Sequence, residues 1–360
     1  MRLSELIGDR NNNLNLVRIT AALAVLVTHS FALTLGPKAE PLRQHLGTTL
    51  GTIAVDVFFV ASGFLVTISL AKRQSILEFV MARALRILPA LFAMLLLSVA
   101  VLGPAFTALP LADYFADRRV ATYLVKGATL VTGIEFELPG VFLRNPYPAV
   151  VNGSLWTLPW EVAMYGLLLL VWIGAKFSAL PPRNFSAFKL LVFAIVVVSV
   201  TVVVAAHWRG EDKYHSELYF MFFSGAAAYL LRHRIVLSWP AFWAIALALA
   251  ISALHRQSFF VVYHLAIAYL VLFIAFVPRG VLRHYNRVGD YSYGVYIYAF
   301  PVQQAAVAWW PQLTVLEMMG ASALATLALA AASWHLVEHR ALATKSRLVA
   351  QARMLFRRAA

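Results

Sequence analysis

Apolar residues run in long blocks along this chain, and short basic or mixed stretches interrupt them. The blocks fall at about 14–35, 49–70, 87–103, 155–175, 190–206, 218–231, 236–254, 259–277, 291–310 and 314–337. About 20 consecutive apolar residues are enough to cross a bilayer as a helix, which satisfies every backbone polar group internally. The pattern therefore predicts an all-α polytopic membrane helix bundle of about ten transmembrane helices. The third block starts just after Arg83 and Arg86, so both arginines are expected to close the preceding loop. From Pro104 to Val151 the chain is mixed. Only Tyr123 to Ile134 is apolar enough there for a partial helix dipping into the membrane.

Composition agrees with this picture. Hydrophobic residues make up 61% of the 360 positions and charged residues 13%, with a mean hydropathy of +0.76. Such a chain is too apolar to be soluble. The first block resembles a signal peptide only superficially, because it is long, holds Arg18 and has no small-residue cleavage site before Gly36-Pro37. Cysteine is absent, which excludes disulfides, thiolate nucleophiles and sulfur-ligated metal centres. The excess of 30 Lys+Arg over 16 Asp+Glu resembles that of a nucleic-acid binder. Yet 21 of the 30 fall on loops and tails of one side if both termini are cytoplasmic, as the positive-inside rule requires. Arg10, Arg183 and the run Arg279, Arg283, Arg287 belong to that count. The excess is therefore topological, and no nucleic-acid partner is expected. The chain reads as an integral protein of a bacterial inner membrane, with membrane lipids around it.

The ionisable residues inside the apolar blocks point to chemistry. Arg18 and His29 stand eleven positions apart in the first block, a rise of ~16 Å with nearly the same helical facing. Intramembrane charges mark substrate paths by default, so both are expected to face one groove. With the orientations assigned above, His29, Asp56 and Glu161 come to a similar depth below the outer surface. An imidazole with carboxylates is the minimum set for general base catalysis, and a purely structural hydrogen-bond cluster is the alternative. Near the inner surface lie Arg18, Arg83 and Arg86. Guanidinium forks suit phosphates, whereas anchoring at the membrane face is the plainer explanation of the pair. A phosphate grip inside and a proton acceptor further out would suit a long molecule such as acyl-coenzyme A. No metal site is expected.

Several stretches together carry a family resemblance. They are the arginine and histidine at 18 and 29, Val55-Asp56-Val57-Phe58-Phe59-Val60-Ala61-Ser62-Gly63-Phe64, and Arg83-Ala84-Leu85-Arg86. Asn152-Gly153-Ser154-Leu155-Trp156-Thr157-Leu158-Pro159-Trp160-Glu161 and Tyr291-Ser292-Tyr293-Gly294-Val295-Tyr296 complete the set. Over nearly its full length the chain resembles the membrane-bound acyltransferase-3 family. That resemblance implies transfer of an acyl group, usually acetyl, from cytoplasmic acyl-CoA to a hydroxyl of an extracytoplasmic polysaccharide or lipid-linked glycan. It implies His29 as the essential histidine, Arg18 as its motif partner, Arg83 and Arg86 in donor binding, and acidic positions at Asp56 and Glu161. Acetyl-CoA would be a co-substrate, with no permanently bound cofactor, and an oligomer is compatible.

Ser62 either lines the donor path or, with Gly63, lets helices approach closely. Trp156 and Trp160 are either acceptor-stacking platforms or interface aromatics. Two positions depart from the family pattern. Asn15 stands where many members have an acidic residue, and Tyr298-Ala299-Phe300-Pro301 lacks a histidine often found there. Residues 1–345 are expected to form one acyltransferase-like membrane domain and 346–360 a basic cytoplasmic tail, with no fused soluble domain. A proton-coupled carrier for a lipid-linked glycan or small solute is the rival from another class, and a non-catalytic scaffold of a polysaccharide synthase is a third.

Overall fold

The computed structural model describes residues 1–8, 11–130, 132–177 and 185–359. Arg10 and Arg183 of the charge count lie outside the described residues, as does Val131 within the expected partial helix.

All ten apolar blocks are helical. They are α1 (Leu14–Leu35), α2 (Leu50–Arg73), α3 (Ile76–Leu97), α4 (Leu158–Phe177), α5 (Phe185–Arg209), α6 (Tyr214–Leu230), α7 (Trp239–Ser252), α8 (Arg256–Phe276), α9 (Ser292–Trp309) and α10 (Val315–Ser333). Among the described residues, seven are long and apolar enough to cross a membrane: α1, α2, α3, α4, α5, α8 and α10. α6 has 17 residues and α7 only 14, and the 18 residues of α9 include Gln303, Gln304 and three tyrosines. An all-α membrane bundle is the architecture, with seven such helices where the pattern of blocks predicts about ten.

Two boundaries depart from expectation for identifiable reasons. α3 begins at Ile76, where the Ser75 hydroxyl accepts from the Glu78 amide, an N-cap that places Arg83 and Arg86 on the helix itself. α3 also runs on through a π-helical turn, Ser98–Leu102, to Phe106. The partial helix of the mixed segment spans Arg118–Thr129, because Asp117 caps it and Leu130 ends it in a left-handed conformation. Hydrogen bonds from the Arg119 side chain and amide hold the Asp117 carboxyl below the usual carboxylate range. This helix lies along α3, with Gly127 against Leu95, where a Cβ would come within 2.7 Å of the leucine. The preceding turn, Leu111–Ala116, is pinned by the Tyr114 hydroxyl donating to the Val99 carbonyl at 3.0 Å. Burial pushes Tyr114 up to about 12, so it remains a neutral donor.

The chain divides into two compact units. The first comprises Met1–Ala21, Pro41–Lys72 and Trp160–Gly289. Within it α5 lies along α6 and α7 along α8. α2 and α6 meet backbone to backbone at two glycines. A Cβ on Gly63 would stand 1.8 Å from the Phe222 carbonyl oxygen, and one on Gly225 would stand 2.1 Å from that of Val60. Small residues permit this approach in membrane bundles, and here they are obligatory. Gly63→Ala is expected to destabilise the protein by the upper end of the about 1–3 kcal/mol typical of overpacking, because backbone cannot rotate away. A thermal melt in detergent matching wild type would show that the helices part easily.

The second unit comprises Ala22–Glu40, Arg73–Pro159 and Asp290–Ala360. Within it α9 packs on α10, where a Cβ on Gly294 would come within 2.8 Å of the Ala330 Cα. Beyond α10 the chain passes through a second π-helical turn, Trp334–Glu338, into the helix Lys345–Ala359, which lies along α3 with Arg353 2.7 Å from Glu78. The basic tail of the sequence reading is thus the end of a helix.

Candidate active site

Arg18, Asp56, Ser62, Trp160 and Glu161 belong to the first unit, and His29, Arg83, Arg86 and Trp156 to the second. α1 carries both Arg18 and His29 as one uninterrupted helix, Leu14–Leu35, as its apolar pattern predicts.

In the second unit His29 is half-buried, and its Nδ1 is covered without a hydrogen-bond partner among the described residues. Native proteins leave few buried polar atoms unsatisfied, and a catalytic role is one of the accepted reasons. The ring stands edge-on to Phe300, with centroids 5.0 Å apart at 81°. Phe300 in turn fits against Gly153, where a Cβ would lie 2.8 Å from its ring. The helical turn behind His29 is clamped by Gln303, whose amide donates to the Leu26 carbonyl at 2.9 Å and the Ser30 hydroxyl at 2.8 Å. Gln304 holds the segment beside it by donating to the carbonyls of Tyr147 and Val150.

Residues 152–157 of the 152–161 motif build the frame beside Phe300. The Asn152 amide donates to the Ile297 carbonyl at 2.8 Å, while its Oδ1 accepts from the Ser154 amide and starts a short 3-10 helix, Gly153–Thr157. The Tyr296 hydroxyl donates to the Ser154 carbonyl at 2.8 Å and pairs with the Thr157 hydroxyl at 2.6 Å. Two stretches far apart in sequence are thereby one construction. Trp156, in the same short helix, is half-buried.

Arg83 and Arg86 share one side of α3, and both are half-buried. Arg86 sits among acids. Its Nη2 donates to Asp290 at 2.6 Å and its Nη1 to Glu338 at 3.4 Å. The Ser292 hydroxyl donates to Asp290 at 2.5 Å and the Ser333 hydroxyl to Glu338 at 3.1 Å. The guanidinium carbon lies 5.8 Å from the Tyr293 ring and 6.0 Å from that of Trp334. Both terminal nitrogens are therefore engaged within the protein, an arrangement that gives Arg86 a structural part.

In the first unit Asp56 is 1% exposed and accepts from the Tyr263 hydroxyl at 2.6 Å. Glu217 and Lys213 act on it electrostatically. Next to Tyr263, His264 bonds the Phe260 carbonyl through Nδ1 at 2.7 Å and Glu217 through Nε2 at 2.9 Å. A carbonyl only accepts, so Nδ1 is the donor to Phe260, and Nε2 is the atom that meets Glu217. Glu161 accepts from the hydroxyls of Ser62, at 3.3 Å, and Tyr165. Trp160 faces the His215 ring at 4.1 Å. Arg18 is half-buried.

Tyr263, Glu217, His264, Phe300 and Gln303 escaped the sequence reading. Glu217 and His264 carried a usable signal, since each is ionisable within an apolar block, as His29 is. Among the described residues no group of His, Asp and Glu is arranged to hold a metal ion.

A polytopic α-helical bundle with a covered histidine on its first span defines an integral membrane protein with buried polar chemistry, and comparison with known proteins specifies the class. Residues 11–335 match the family described as the acyltransferase domain, and the chain belongs to that family. It is similar to an O-acetyl transferase of Shigella phage Sf6, 27% identical over 351 residues that cover 94% of this chain and 98% of that protein. It is also similar to nodulation protein 10 of Rhizobium leguminosarum bv. viciae, 30% identical over 385 residues that cover 96% of each. No solved structure matches. The protein is a membrane O-acyltransferase.

Proposed function

We propose that this enzyme moves an acyl group, most simply acetyl, from cytoplasmic acyl-CoA to a hydroxyl of an extracytoplasmic polysaccharide or glycolipid, with His29 as the base. The observation that carries this reading is the covered, partnerless Nδ1 of His29 among the described residues, held edge-on to Phe300. The hydroxyl proton passes to the imidazole as its oxygen attacks the thioester carbonyl. The C–S bond breaks, and the proton is returned to the departing thiolate, so free coenzyme A leaves as the thiol. Arg18 and Arg83 are assigned to the donor's phosphates, with Arg86 fixing the helix that presents Arg83. Asp56, tied to Tyr263, and Glu161, tied to Ser62 and Tyr165, are the acidic residues of the scheme. Trp156 and Trp160 remain the aromatic residues toward the acceptor.

The test is purified protein in bilayer discs with radiolabelled acetyl-CoA and surface glycan from a bacterium. Donor-dependent label on the glycan, with release of free thiol, is the expected result. Glycan movement across proteoliposomes without any donor, and no label, would replace this reading with the carrier.

A further inference from the structure

The arginines that the charge count assigns to the loop after α8 are more than topological markers. The 3-10 helix Gly280–Arg287, the residue before it and Asn11 near the start of the chain line an open cavity of about 530 Å³. Its lining includes Arg279, Arg283, His284, Arg287, Asn11 and Asn286. That volume is in the range of small-molecule sites, roughly 300–1,000 Å³. A 3-10 helix of eight residues is long for its kind. Two of its side chains fasten it. The Arg283 guanidinium donates to the carbonyls of Phe276 at 2.9 Å and Pro278 at 3.1 Å, closing the end of α8, while the Asn286 amide donates to the Asn12 carbonyl.

Arg279 and Arg287 are exposed, and neither side chain has a hydrogen-bond or ion-pair partner among the described residues. One described acid, Glu5, lines the adjoining smaller recess and accepts from the Arg2 amide. Three guanidinium groups, an imidazole and two amides thus converge on one space with no described carboxylate among its walls. Planar forks of this kind are matched to phosphate oxygens. In the same 3-10 helix, Val281 is 79% exposed and Leu282 49%. The cationic lining is thus neighboured in sequence by two exposed apolar side chains.

We infer that this cavity is a phosphate-binding site on the cytoplasmic side. Two carriers of that group fit: the headgroup of an anionic phospholipid, whose chains would lie along Val281 and Leu282, and the soluble phosphates of the acyl donor. The donor alternative rests on the proposed function, whereas the lipid alternative does not.

The test uses full-length protein and reads binding without turnover, so its outcome is independent of whether transfer is observed. Wild type and Arg279→Gln/Arg287→Gln are compared in phosphatidylcholine discs with coenzyme A and with pyrophosphate as probes. Retention of phosphatidylglycerol by detergent-purified protein is followed by native mass spectrometry. Arg283 is left in place because it closes α8. Loss of two charge-assisted contacts is expected to weaken one probe about tenfold or more, and Arg279→Lys/Arg287→Lys is expected to restore most of it. Weakened coenzyme A assigns the site to the donor, and lost phosphatidylglycerol assigns it to lipid. A folded glutamine variant that binds both as wild type does overturns the inference. Should that variant not fold, wild-type binding of both probes that is indifferent to added salt would overturn it equally.

Discussion

His29→Ala is expected to slow acyl transfer by about 10²–10⁴-fold, the usual contribution of a positioned general base, while leaving the fold and the affinity for acyl-CoA near wild type. The side chain makes no hydrogen bond at Nδ1 among the described residues, so its removal breaks none there. The turn that bears it is held from elsewhere, through the two hydrogen bonds of Gln303 to Leu26 and Ser30. The loss should therefore fall on kcat rather than on KM for the donor. His29→Gln separates the two uses of an imidazole, because an amide can hydrogen-bond the acceptor hydroxyl but cannot take its proton. A glutamine variant as slow as the alanine variant identifies proton transfer as the lost step. Undiminished transfer by either variant removes His29 from the mechanism.

Why His29 stood out in the sequence, and its surroundings did not, is a matter of range. Membrane helices announce themselves locally, and the bounds of α1 coincide with those of its apolar block. An imidazole inside such a block is conspicuous for the same reason. What surrounds it comes from far along the chain. Phe300 and Gln303 reach it from α9, and Gly153 matters only because that phenyl ring lies against it. The Tyr263 partner of Asp56 is likewise 207 positions away.

Depth along the spans rests on helical rise alone, so it could align His29, Asp56 and Glu161 by level. It carried no information about which side chains each would meet. The start of α3 was misplaced by the same blindness. Arg83 and Arg86 resemble the end of a basic loop until Asp290 and Glu338 are known to receive one of them. Ser75 and Glu78, a serine followed three residues on by a glutamate, were the local sign of the earlier start.

The same ion pairs support the second large effect. Arg86→Ala is expected to cost about 3–5 kcal/mol of stability, the range for removing one partner of a buried charge cluster. The Arg86 side chain is 16% exposed, Asp290 11% and Glu338 2%, so removing the guanidinium takes a cation from two carboxylates that little solvent screens. Arg86→Lys keeps the charge but loses the fork that reaches both acids, and it should fall between the two. The decisive comparison is the triple replacement Arg86→Ala, Asp290→Asn, Glu338→Gln. If the damage comes from stranded charge, thermal unfolding in detergent will show the triple variant recovering a substantial part of what the single one loses, a coupling that independent sites do not give.

Donor affinity measured on that refolded triple variant then divides the roles within the pair. Arg83 is untouched, so affinity near wild type leaves phosphate binding to Arg83 and makes Arg86 a positioning residue. If Arg86→Ala melts like wild type, the acids do not depend on it, and its guanidinium is available for the donor after all.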